Sequence, residues 1–173
     1  KRAACIGTIF DLNLLGRVIR QNPHKLLGEL MPAVEQGYIA PERDAYIVEN
    51  YKHITLTVEA YQLELAFTHA KLRRRAYDLL PEDERTQLHY AIAHELINHT
   101  SLEQRDDVIF DLVQHYNAAL SQVHSTDEQY LVCELNLTAG LRSMGAAAYE
   151  TAYEYLKVAA DLTDEQSWQH QYD

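Results

Sequence analysis

Beyond Pro81 the chain contains no proline, and Gly140 and Gly145 are its only glycines there. A run of that length without helix breakers strongly favours helix after helix. Before Pro81 the chain is punctuated by Gly7, Gly16, Gly28, Gly37, Pro23, Pro32 and Pro41, and it carries strand-like alternation. The two regimes meet at Phe67–Pro81, where a strand-like run yields to His69, Ala70 and a basic turn, Lys71 to Arg75. The sequence therefore predicts a joint there, with one domain at 1–80 and a second at 81–173.

In the first part Asp11 offers an N-cap before Leu12, Leu15, Val18 and Ile19, which recur at helical spacing. Asn22-Pro23 is a second start signal, with Leu26, Leu27, Leu30 and Val34 as the apolar stripe and Gly37 as the stop. Pro32 removes a backbone donor inside that helix and is expected to disturb it. Tyr38-Ile39-Ala40 reads as a short strand before a turn at Pro41. Tyr61, Leu63, Leu65 and Phe67 alternate with Gln62, Glu64 and Ala66 as in a half-buried strand. A further strand is expected near Ile54–Val58.

Helix, helix, helix, short strands and a closing helix is the order of a winged-helix domain with a small β-wing. The presumptive recognition helix from Pro23 to Gln36 sets His24 and Lys25 against Glu29 and Glu35 and has no arginine. Together with a net charge of −11, that argues for a packing module over a DNA reader, since phosphate contacts need lysines and arginines on the docking face.

The second part predicts a helix from Pro81 with Leu88, Ile92 and Leu96 buried. The next, opened by a Ser101–Gln104 capping box, carries the stripe Val108, Ile109, Leu112, Val113, Tyr116, Leu120 and Val123. A third, capped by Thr126 or Asp127, is apolar on two faces: Leu131 with Leu135, and Tyr130 with Cys133, Leu137 and Leu141. A helix of that kind is expected between neighbours in a stack. The last runs from Ala146 to Leu162, and another is expected to start near Thr163-Asp164. Gly140, Ala152, Leu156 and Ala159 hold the small, small, large and small places of a tetratricopeptide helix pair, whereas Asn136 and Ser143 stand where large residues are expected. The fold class is thus mainly α: a winged helix followed by an antiparallel, tetratricopeptide-like array.

Catalytic patterns fail on spacing. His94 and His99 are five apart, about 140° round a helix at ~100° per residue, so the two imidazoles do not converge on zinc. Neither does His89, and histidines facing solvent are the expectation for this helix. No glycine-rich phosphate loop is present. The chain is read as a non-enzyme with no metal and no cofactor of its own. Cys5 and Cys133 are the only cysteines and suit a reduced, cytoplasmic setting. No apolar run reaches the ~20 residues of a membrane span, so a membrane is not an expected partner, and the net charge of −11 makes nucleic acid none either. Lys1-Arg2-Ala3-Ala4-Cys5-Ile6 reads as the tail of a helix begun upstream, hence as a piece of a longer protein.

Three sets of residues, in order, resemble one family. Ala3-Ala4-Cys5-Ile6-Gly7 with Phe10-Asp11-Leu12 is the first. Phe67-Thr68-His69, Ala76-Tyr77, Leu80-Pro81-Glu82 and Arg85 form the second, and Leu135-Asn136-Leu137, Ala139-Gly140 and Ala148-Tyr149-Glu150 the third. They resemble STAND-class signalling ATPase regions of multidomain serine/threonine kinase and sensor histidine kinase hybrids. The resemblance implies a winged helix that follows an ATPase core, then helical repeats. The chain would be a regulatory segment coupling nucleotide state to protein–protein interaction, with the upstream core and a protein on the repeats as partners. ATP or ADP with Mg would belong to the parent, itself an ATPase fused to kinase domains. His69 matches the histidine that contacts the ADP phosphate in related proteins, although Ala70 replaces the acid that follows it there. A stand-alone helical scaffold and a DNA-binding regulator are the alternative functions.

Overall fold

Side-chain caps at Asp11, Asn22 and Ser125 start three of the helices in the computed structural model, which describes residues 1–43, 63–101 and 104–163. These residues form eight α-helices and one three-stranded antiparallel sheet. Two compact units divide the chain, Lys1–Glu95 and Leu96–Asp173.

The first unit opens with α1 (Ala3–Ile6), β1 (Ile9–Asp11) and α2 (Leu12–Ile19). The Asp11 carboxylate accepts from the Leu14 amide at 2.6 Å, satisfying one of the donors that a helix start leaves open. In α3 (Pro23–Glu35) the Asn22 side chain accepts from the His24 and Lys25 amides. The helix ends in a Schellman turn: Gly37 adopts φ +69°, its N–H reaches the Val34 carbonyl, and Tyr38 N–H reaches Ala33. Pro32 does not end α3, which continues to Glu35. The expected disturbance is limited because the residue four before Pro32, where its ring crowds the backbone, is Gly28, and the Pro32 carbonyl still accepts from Gln36.

Strand β3 (Glu64–Phe67) lies between β1 and β2 (Ile39–Pro41), antiparallel to both. Phe10 pairs with Leu65 and Ala40 with Ala66. Pro41, which has no N–H to give, sits at the end of an outer strand, where it costs least. Leu63 and Leu65 are buried, and Phe67 packs against the same core as Phe10, Leu12, Leu15, Leu26 and Leu27, as the alternation predicts. The strand expected near Ile54–Val58 and the start of the one from Tyr61 lie outside the described residues. The sheet is followed by α4 (Ala70–Asp78) and α5 (Glu82–His99); the division between units falls within α5.

In the second unit α6 (Ile109–Asn117) is shorter than the stripe predicts: residues 105–108 form turns, and a 3-10 turn follows at Leu120–Gln122. Ile109, Leu112, Val113, Tyr116 and Val123 are buried as expected; Val108 and Leu120 are only partly so. Helix α7 (Thr126–Gly145) is capped by Ser125, one residue before the expected caps, through the Glu128 amide. Helix α8 (Tyr149–Leu162) starts later than expected because residues 146–148 make the turn, with Ala147 at φ +58°.

Gly140 faces Ala152 and Leu156, whereas Cys133 donates to the Ala159 carbonyl at 3.4 Å, so α7 and α8 run antiparallel. A carboxamide pair joins α6 to α7: Asn117 and Asn136 exchange two hydrogen bonds of 2.8 and 2.9 Å. Helix α7 thus lies between α6 and α8, as expected, and Cys133 of its second apolar face meets α8, but the rest of that face is left open among the described residues. Tyr130, Leu137, Leu141 and Met144 are each 45–56 % exposed. The helix expected from Thr163-Asp164 lies outside the described residues.

Candidate functional site

His69 stands at the switch from β3 to α4, and Thr68 fixes that switch. The Thr68 hydroxyl donates to the Gly37 carbonyl at 2.7 Å, and its amide to Tyr38, which ties the end of β3 to the turn after α3. His69 then takes the extended N-cap conformation, and its carbonyl accepts from Leu72 and Arg73. Its imidazole is exposed and makes no capping bond. It therefore projects beside the open N–H groups of α4, with Ala70 leaving no carboxylate at the next position. Lys71, Arg74 and Arg75 on α4 are exposed as well. An exposed imidazole at the N-terminus of a helix that carries three exposed cations suits an anionic group better than a cation.

Arg73 differs from its neighbours. It turns inward and donates its Nε–H to the Ala4 carbonyl at 3.1 Å, closing the C-terminal end of α1. Beside it lies a group that sequence reasoning missed. The Tyr77 hydroxyl meets His89 Nε2 at 3.0 Å, and the Arg85 guanidinium sits over the Tyr77 ring at 4.9 Å. His89 is buried, not solvent-facing as expected. The only available signal was that Arg85 and His89 lie four apart on one helix.

Burial, followed by the nearby Arg73 and Arg85 charges, holds the His89 imidazole below its ordinary 6.5. The unfolded chain therefore takes up a proton near pH 6.5 that the folded chain refuses until lower pH, so stability falls as pH drops below that value. We expect the Tm of the chain to be lower at pH 5.5 than at 7.5, and His89→Gln to flatten the difference. An unchanged pH dependence in that variant would show that other groups set it. Burial also pushes the Cys5 thiol up to about 11, against the pull of the Arg73 and Arg85 charges. A protonated, buried thiol is a poor nucleophile.

His94 and His99 do not come together, and among the described residues no group of three or more His, Cys, Asp or Glu could hold a metal ion. A cavity of about 410 Å³ opens among Leu15, Ile19, Leu26, Leu30 and Leu80, with Arg2 and Glu84 on its lining. His69 does not contribute to it. Among the described residues, no helix is long and apolar enough to cross a membrane.

The chain is similar to a signalling protein. Over an alignment of 194 positions it is 21% identical to the hybrid signal transduction histidine kinase G of Dictyostelium discoideum, and the match takes in 92% of the chain. It spans only 6% of that kinase's length. No family model matches the chain, and no solved structure does.

Proposed function

We propose that the chain is a regulatory segment of a STAND-type signal-transduction ATPase, coupling nucleotide state to protein–protein interaction. In this reading residues 1–80 are a winged-helix domain that locks against an ATPase core, and residues 81–173 begin a tetratricopeptide-like array that receives a protein partner. The observation that carries it is the likeness to a hybrid signal transduction histidine kinase across 92% of the chain, long enough to take in both units. Supporting it, three helices and a small sheet precede His69, and Gly140 packs against Ala152 and Leu156 in the small-residue manner of a helical repeat.

His69 is the residue proposed to contact ADP phosphate, in a site built mostly by the ATPase core. Mg and nucleotide belong to the parent, and this segment performs no hydrolysis. By itself it should show no ADP binding in calorimetry; micromolar binding would contradict the division of labour. In the full-length parent His69→Ala should speed ADP release, and an unchanged release rate would remove the sensor role.

A stand-alone helical interaction scaffold is the second reading, favoured by the uncovered face of α7. DNA binding has less support, because on α3 Lys25 lies 3.9 Å from Glu29, which neutralises part of the charge a phosphate would need.

A further inference from the structure

The second unit exposes an apolar face within a strongly acidic surface. It contains 3 of the chain's 15 lysines and arginines (Arg105, Arg142, Lys157) but 13 of its 26 acids, and so holds −10 of the formal −11. On α7, Tyr130, Leu137, Leu141 and Met144 fall within about 60° of arc at ~100° per residue. Asn136, which bonds to α6, projects about 110° away from that arc.

On α8 the exposed rings are Tyr149 and Tyr153, 68 % and 63 % accessible. Tyr155, whose ring meets Phe110 of α6 at 6.1 Å, points to the opposite side. Both exposed stripes therefore lie on the side of the α7–α8 hairpin away from α6. Their neighbours are mainly acidic: Glu134 stands one turn before Leu137 on α7, and Glu150 and Glu154 follow Tyr149 and Tyr153 on α8, all exposed, with Lys157 one turn after Tyr153 as the single cation among them.

We propose that this face docks a basic amphipathic helix of a partner protein, its apolar side on the Leu137–Leu141 stripe and its lysines or arginines against Glu134, Glu150 and Glu154. The proposal rests on the reading of the second unit as the partner-receiving part. An apolar seam supplies affinity in helix docking, and the surrounding charge selects the sign of the partner and speeds encounter. An apolar stripe alone would accept any helix. The acids on both flanks restrict it to a basic one.

The test uses the whole chain and a designed helix of about 18 residues, long enough to hold helical structure, with leucines at helical spacing and lysines elsewhere. Its control replaces every lysine with glutamate. The lysine peptide should bind saturably in fluorescence anisotropy, and the glutamate peptide at least about tenfold more weakly. Leu141→Asp should weaken binding about tenfold or more, with an unchanged far-UV spectrum, and Glu134→Lys with Glu154→Lys should weaken it several-fold.

Equal binding of both peptides, or no effect of either set of substitutions, overturns the proposal. So does a dimer in light scattering that Leu141→Asp dissociates, which would make a second copy the occupant. Binding only after removal of residues 164–173 would make that segment the occupant instead. If the peptide is not bound, yet deletion of the segment from the parent abolishes its output, the regulatory reading stands and only this inference falls.

Discussion

Replacing Asn136 with leucine should destabilise the second unit by about 2 kcal/mol, although leucine is the better helix former and gains apolar burial. Asn136 is fully buried, and its amide is saturated. One N–H goes to Asn117 Oδ1 at 2.9 Å, the amide nitrogen also donates to the Val132 carbonyl at 2.9 Å, and Oδ1 accepts from Asn117 at 2.8 Å. Leucine returns none of these bonds and leaves the Asn117 carboxamide without its partner, a cost of ~1–3 kcal/mol when water cannot replace it. Asn117 is only partly buried, which keeps the estimate at the middle of that range.

The decisive measurement is a double-mutant cycle. Asn117→Leu and Asn136→Leu together should lose less than the two single changes summed, because removing both polar partners abolishes the unmet donors; the coupling should reach ~1–3 kcal/mol. Additive losses would mean that the pair contributes packing only. The readout should be hydrogen exchange of α7 amides, because a chain of two units need not unfold in one step.

That pair also marks the limit of what the sequence discloses. Asp11, Asn22-Pro23 and Gly37 were legible because each acts on its own neighbours within five residues, so a local pattern contains the whole interaction. Strand β1 was not: three residues have no period to detect, and the partner Glu64–Ala66 is more than 50 positions away. Asn136 reads as a defect in the repeat pattern until Asn117 is brought beside it. His89 likewise reads as a surface residue until Tyr77 covers it.

The two apolar faces of α7 were legible as such. Periodicity reports that a face is apolar, not that anything covers it, and the Tyr130–Met144 stripe turned out exposed. At the candidate site the position of His69 was readable from the strand-to-helix change. The inward turn of Arg73 to Ala4 was not, since Arg73, Arg74 and Arg75 are chemically identical and only packing against α1 separates them.

A second large loss is expected when a branched side chain is placed at Gly140. A Cβ there would lie 2.7 Å from both Cγ and Cδ2 of Leu156 and 3.4 Å from the Ala152 carbonyl. Two terms oppose each other. Removing a helical glycine gains about 1 kcal/mol with alanine, whereas forcing atoms into a packed interface costs ~1–3 kcal/mol. For Gly140→Ala these nearly cancel, because Leu156 is partly exposed and can shift. For Gly140→Val the helical gain shrinks, two more methyls enter the same gap, and the loss should be about 2–3 kcal/mol. Trimming the obstacle with Leu156→Ala should recover part of it, and a loss below ~0.5 kcal/mol in the valine variant would mean that the contact is not tight. Because α7 and α8 carry the exposed leucines and tyrosines on one side, separating them alters that face without changing any residue on it. Gly140→Val should therefore also weaken binding of the lysine peptide, whereas Gly140→Ala should leave it nearly intact.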